Sequence, residues 1–249
     1  MRVLTVGNRY PPAGTGGYER VWQAAVLGLR AAGHEATVLT TDGGSDEDEP
    51  GVHRALRWTW TPAGWNRPGP LAAARQERHN AAAFAELARG VDLVAWFSMG
   101  GLSLSLIARC RAPQLAVVHD GWPLYGPGVD PWTARWGRGA RHRYDPQRVD
   151  HWSANSAYTR ARILAALPVL DPGRVSVEHP GIDPAAFPAS PAREWTGELL
   201  VLGRIEKEKG VADAIRARPE GMRLTLTGPA DPAHLVELAA IAGRGEVVV

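Results

Sequence analysis

Short apolar runs alternate with amphipathic helical stretches along almost the whole chain, and this alternation restricts the fold more than any other feature. Strands that recur between helices form βαβ units, whose crossovers make neighbouring strands run parallel. The first strand is read at Arg2–Val6, followed by a glycine-rich loop at Pro11–Gly17 and a helix from about Tyr18 to Ala32. Gly33 stops that helix, since glycine tolerates the left-handed turn that helices end on. Further strands are predicted at Ala36–Thr40, Val52–Trp60, Val91–Phe97, Gln114–His119, His151–Asn155 and Val175–His179. Helices are expected at about Leu71–Arg89, Leu102–Arg109 and Ala157–Ala166, with Thr61–Pro70 as loop and an irregular stretch after His119.

Pro180–Gly197 carries four prolines and little apolar periodicity, which reads as a linker. The βα pattern then restarts, with strands at Leu199–Gly203, Leu224–Thr227 and Glu246–Val249 and helices at Gly210–Arg218 and Ala233–Ala242. The expected organisation is therefore a Rossmann-like domain over 1–180, a linker over 181–197, and the first part of a second Rossmann-like domain over 198–249. About fifty residues with three strands bury too little surface to stand alone, so the second domain reads as cut off partway.

Composition narrows the function classes. The chain has 249 residues and a formal charge of +2, too near neutral to suggest a nucleic-acid partner. Cys110 is the single cysteine, so neither a disulfide framework nor a thiolate metal site exists. The histidines show no ligand spacing, and no metal is expected. The amino terminus lacks a signal-peptide pattern and no apolar run is long enough to span a bilayer, so a cytoplasmic protein is expected.

Two motifs carry chemistry. Gly14–Arg20, GTGGYER, lies between a strand and a helix start, where glycine lets a ligand approach the backbone and helix N–H groups face an anion. A dinucleotide fingerprint with Asp42 as the ribose-binding acid is the alternative, but Glu19 stands where its third glycine belongs. A tight turn without a ligand also fits. Gly203–Gly210, GRIEKEKG, sets Arg204 and Lys209 after a strand and before a helix, an arrangement suited to a diphosphate. A solvated charge run is the plain alternative, because Glu206, Lys207 and Glu208 lie between them.

In order along the chain, GTGGYE, VVHD at Val117–Asp120, ANSAYT at Ala154–Thr159, PGIDPAAF at Pro180–Phe187 and GRIEKEKG resemble the retaining glycosyltransferases of family 4. The resemblance implies an α/β fold of GT-B type, two Rossmann-like domains, a nucleotide-diphosphate sugar as donor, and neither cofactor nor metal. It implies that Gly16 and Gly17 offer backbone N–H groups to donor phosphates or a bound acceptor, and that Arg204 and Lys209 neutralise the departing diphosphate. His119, at a strand's carboxyl end, would contact the donor sugar or orient the acceptor, with a core histidine as the alternative. Asn155 and Ser156 fall on a ligand-lining loop, although Ser156 also suits a helix cap. The family's glutamate pair, later in the second domain, would lie beyond Val249, so a non-catalytic half is a further alternative, as is an NAD-dependent oxidoreductase.

The acceptor is left open among small molecules, saccharides and lipid-linked species, read by the loops Thr41–Pro70 and Gly121–Arg148. Trp58, Trp60 and Trp65 cluster in the first loop, and Trp122, Trp132 and Trp136 in the second; most such aromatics pack into cores. The arginines of Arg135–Arg148 suit a solvated face or a peripheral membrane contact.

Overall fold

The computed structural model describes residues 1–13, 16–41, 49–61, 64–136, 139, 142–192, 194–242 and 247–248. Their contacts divide the chain into two units, Met1–Gly181 and Ile182–Val249. The first runs β1 (Arg2–Val6), α1 (Gly17–Ala31), β2 (Glu35–Thr41), β3 (Val52–Leu56), β4 (Trp60–Thr61), β5 (Gly64–Trp65), α2 (Pro70–Leu87) and β6 (Leu93–Trp96). It continues through α3 (Ser105–Arg109), β7 (Gln114–Val118), α4 (Trp122–Val129), α5 (Pro131–Trp136), β8 (His151–Ala154), α6 (Ala157–Ala166) and β9 (Val175–Val177).

Seven of these strands form one sheet in the order β3-β2-β1-β6-β7-β8-β9, every pair parallel. Successive strand residues face opposite sides, and both sides are buried. Leu4 and Val6 of β1 join Val94 and Trp96 of β6 in one core. Ala95 and Phe97 join Val38 of β2 in the other, under Trp22 and Val26 of α1. Trp22 stacks on Phe97 with ring centroids 5.0 Å apart. Strands apolar on both faces are what a parallel sheet covered by helices requires, and that is why these runs lack strict alternation.

The second unit contains β10 (Glu198–Leu202), α7 (Val211–Ala217), β11 (Arg223–Thr227), α8 (Pro232–Ala242) and β12 (Val247–Val248). Its three strands lie parallel in sequence order. Val211 and Ile215 of α7, Leu224 and Leu226 of β11 and Leu238 of α8 share its core.

Several local expectations are corrected. The strand expected over Val52–Trp60 ends at Leu56, because the chain leaves the sheet. Thr61–Pro70 is not all loop: Trp60 pairs across a short antiparallel hairpin with Trp65. The helix expected from Leu102 begins only at Ser105. The stretch after His119 holds two helices, α4 and α5. Glycine and proline hide the period of α4, while Trp122, Pro123 and Gly126 are buried and fix it to the core.

Candidate active site

In an open α/β sheet, ligands bind at the carboxyl ends of the strands where strand order reverses. Here the order runs outward from β1 in one direction and from β6 in the other, so the reversal lies between these two. The segments that leave them are bound together. Asn8 N donates to Ser98 O at 2.8 Å, and Asn8 Nδ2 donates to Ser98 Oγ and Gly100 O, each at 3.2 Å.

From Ser98 a polar chain crosses to the neighbouring elements. Its backbone N–H donates to Tyr18 Oη of α1 at 2.6 Å, and its hydroxyl donates to Asp120 Oδ2, just past β7, at 3.1 Å. Tyr125 Oη of α4 donates to the same carboxylate oxygen at 2.7 Å. Asp120 Oδ1 is buried without a hydrogen-bond partner. Burial, then the Asp120 carboxylate and its hydrogen bond, hold the Tyr125 phenol well above its ordinary pKa, so it stays a donor. Burial likewise raises that of Tyr18.

His119 stands beside this network, its ring centroid 6.3 Å from that of Tyr18. Its backbone oxygen accepts from Asn155 Nδ2 at 3.3 Å. Among the described residues neither of its ring nitrogens has a hydrogen-bond partner, so it is not a core histidine tied to a carbonyl. Burial lowers its pKa, with Asp120 acting in the opposite direction, and the imidazole is therefore held toward its neutral form. His119, Asp120, Leu124, Thr159 and Arg162 line a pocket of about 160 Å³. Ser156 caps α6 through its side chain, accepting from Thr159 N, as the plainer of its two readings had it.

Gly16 caps the amino end of α1 with no side-chain hydrogen bond, and both Gly16 and Gly17 are exposed. The Glu19 carboxylate folds back over this end, close enough that a Cβ on Gly16 would meet Glu19 Oε2 at 2.4 Å. A negative group therefore already faces the first turn. Gly14 of this motif and Asp42, the acid of the dinucleotide alternative, lie outside the described residues, as do Arg138 and Arg141 of the basic run.

In the second unit, Arg204 follows β10 and Lys209 precedes α7, both exposed. Gly203 and Gly228 end β10 and β11 at φ 150° and 143°, and a Cβ on Gly228 would meet Gly203 O at 2.0 Å. Ile205 is buried in the core, which leaves its neighbour Arg204 outside. Arg204 Nη1 bonds Glu206 Oε1 at 2.8 Å, and Lys207 Nζ bonds Glu237 Oε1 at 2.8 Å. Lys209 has no ion-pair partner among the described residues. The charge-run reading is thus half right: some of these charges compensate one another, and Lys209 does not take part.

The residues of this network that sequence reasoning did not single out are Asn8, Tyr18, Ser98, Asp120 and Tyr125. Tyr18 and Asp120 sit inside quoted motifs, but Ser98 and Tyr125 carry no local signal; only the strand order brings them together. Among the described residues no group of three His, Cys, Asp or Glu side chains is placed to hold a metal, and no helix is long and apolar enough to cross a membrane.

Comparison with known proteins places these features. The family described as Glycosyltransferase Family 4 matches residues 15–186. The glycogen synthase of Mycobacterium tuberculosis, in strains CDC 1551 / Oshkosh and ATCC 25618 / H37Rv, is 29% identical over 275 aligned positions. That alignment takes in 92% of this chain and 61% of the relative, so the chain spans less than two thirds of these proteins' length. Among solved structures, WaaG, a glycosyltransferase involved in lipopolysaccharide biosynthesis, matches with TM-score 0.61 at 18% identity, over 98% of this chain and 68% of its own. The catalytic domain of starch synthase IV from Arabidopsis thaliana, bound to ADP and acarbose, matches with TM-score 0.56 at 14% identity, over 99% and 73%. A putative UDP-N-acetylglucosamine 2-epimerase from Listeria monocytogenes matches with TM-score 0.52 at 15% identity, over 100% and 68%. At such identities the structures establish the fold, an α/β fold of GT-B type, and an epimerase shares it. The family match is the narrower finding: it covers more than half of the sequence and encloses Tyr18, Ser98, His119, Asp120 and Tyr125, and on that ground the chain belongs to glycosyltransferase family 4.

Proposed function

We propose that the chain works in the cytoplasm as a metal-independent glycosyltransferase, moving a sugar from a nucleotide-diphosphate donor to an acceptor with retention of anomeric configuration. The observation that carries this reading is the family match over residues 15–186, which contains six of the seven strands of the main sheet and the segment from His119 to Tyr125. The glycogen synthase relatives and the ADP and acarbose in a structural neighbour support a nucleotide donor and a saccharide acceptor.

In this reading Arg204 and Lys209 take up the charge that builds on the diphosphate as its bond to the anomeric carbon breaks. His119, neutral and with free ring nitrogens, contacts the donor sugar or orients the acceptor hydroxyl. Gly16 and Gly17 serve the acceptor better than a phosphate, because Glu19 already faces that helix end. The acceptor hydroxyl's proton leaves with the diphosphate, so no further co-reactant is needed.

The test is to incubate the protein with UDP-, GDP- and ADP-sugars and an oligosaccharide acceptor in EDTA, and to read the product's anomeric configuration by NMR. Any product formed is expected to keep the donor's configuration. Inverted product, or transfer only when a divalent cation is restored, overturns the corresponding part of the reading.

A further inference from the structure

Four aromatic rings form a continuous row that begins at the Asp120 network. Tyr125, bonded to Asp120, has its ring centroid 6.0 Å from that of Trp65. Trp65 meets Trp58 at 6.2 Å, and Trp58 stacks on Trp60 at 5.3 Å. The Arg9 guanidinium closes the row 5.5 Å from the Trp60 ring centroid.

The rings are held from beneath by two glycines. A Cβ on Gly100 would meet the Tyr125 side chain at 2.3 Å, and a Cβ on Gly101 would meet the Trp65 ring at 2.3 Å and Trp58 Nε1 at 2.6 Å. Gly101 also has φ +77°, which disfavours any other residue. Trp58 Nε1 donates to Gly100 O at 2.8 Å and Thr59 Oγ1 to Gly101 O at 3.1 Å, fixing the hairpin to this loop. The row is nevertheless partly uncovered: Trp60, Trp65 and Tyr125 are 37%, 39% and 37% exposed and Trp58 is half-buried, whereas Trp22, Trp96, Trp122 and Trp152 are fully buried. Beyond Trp65 opens a cavity of about 360 Å³ lined by Asn66, Arg67, Gly128 and Arg135, within the usual range for a small-ligand site.

The geometry points to a carbohydrate-binding ledge: an oligosaccharide acceptor of two or more rings lies along Tyr125, Trp65 and Trp60, its end reaching the cavity at Arg67 and Arg135. This deepens the glycosyltransferase reading and rests on it. A pyranose has an apolar C–H face and a rim of hydroxyls, which suits a flat aromatic surface flanked by donors. Trp60 and Trp65 supply such surfaces, and neither indole N–H has a hydrogen-bond partner among the described residues. Arg9 and Arg67 add charged donors at opposite ends.

Tryptophan fluorescence of the whole chain, titrated with maltose, maltoheptaose and chitohexaose, tests this. At least one hexamer or heptamer is expected to bind, and at least tenfold more tightly than maltose. Trp60→Ala and Trp65→Ala should each weaken it fivefold or more with an unchanged melting temperature, Trp60→Phe should recover most of the loss, and Trp195→Ala, 67% exposed, should change nothing. No binding by any of the three sugars, or equal binding by Trp60→Ala and Trp65→Ala, overturns the ledge. Calorimetric titration with UDP, GDP and ADP runs in parallel and separates the two ideas. Nucleotide binding without oligosaccharide binding removes the ledge alone, and the converse leaves the ledge standing as a carbohydrate site independent of the donor.

Discussion

Individual side chains at the candidate site differ in how far their surroundings have already committed them. Lys209 has no partner among the described residues, whereas Arg204 must leave Glu206 before it serves a diphosphate. Both are exposed, so their ground-state contacts are weak, and their value lies in charge that appears as the donor bond breaks. In a longer protein that carries a whole second domain, removing either by Arg204→Ala or Lys209→Ala should lower kcat by about 10²–10³-fold, with KM changed much less. Wild-type turnover in either variant contradicts the assigned role. His119 makes a second check at this scale. Its folded pKa lies below 6.5, chiefly through burial, so the protonated ring is what folding penalises. Its contribution to stability is intact above pH 6.5 and falls as pH drops through the folded value. An NMR titration of the His119 imidazole should show a midpoint below 6.5; a midpoint at or above it means that Asp120, not burial, dominates.

Among elements, the stretch after His119 departs furthest from its sequence reading, and Asp130 is central to it. Asp130 joins α4 to α5 and accepts from Leu104 N at 3.1 Å, Trp132 N at 3.1 Å and Thr133 Oγ1. Asp130→Ala leaves buried backbone donors unpaired and removes the start of α5, costing about 2–3 kcal/mol by urea unfolding. Burial outweighs these three hydrogen bonds and raises the Asp130 carboxyl to about 6. The folded state therefore keeps a proton that the unfolded chain has lost, and stability falls as pH rises from about 4 to about 6. Asp130→Asn should remove that slope, and a slope unchanged in this variant assigns it to another group. None of this was legible beforehand, because a cap joining Leu104 to Thr133 is made by tertiary contact and Pro127 interrupts the helical pattern. The strands of the main sheet were legible for the opposite reason: β1 and β6 are buried on both faces, so their apolar runs stand out. Val52–Trp60 misled because Trp58 and Trp60 look like strand residues, yet serve a hairpin held on Gly100 and Gly101.

For the whole molecule, the restart of the βα pattern after Pro180–Gly197 was visible in the sequence, while the site around Asp120 was not. Pattern restarts are local, but that site gathers residues from α1, β6, β7 and α4 through strand order alone. Among the described residues the first unit holds a parallel sheet of seven strands and the second a parallel sheet of three. The chain between them has no regular strand or helix from 183 to 192, and every residue there is exposed. A protease needs an extended, uncovered segment, which a packed βα layer does not offer. Phe187 within this segment and Trp195 just beyond it, 68% and 67% exposed, are the aromatic side chains that chymotrypsin would meet first. Brief digestion should therefore cut after one or both and leave a fragment starting at Met1 that keeps its circular dichroism and its cooperative melt, because both cores of the seven-stranded sheet lie within Met1–Gly181. Mass spectrometry of the first products decides the matter. Early cleavage inside the sheet's own connections, after Tyr18 or Trp122 for example, would mean that the first unit opens more readily than its two buried cores allow.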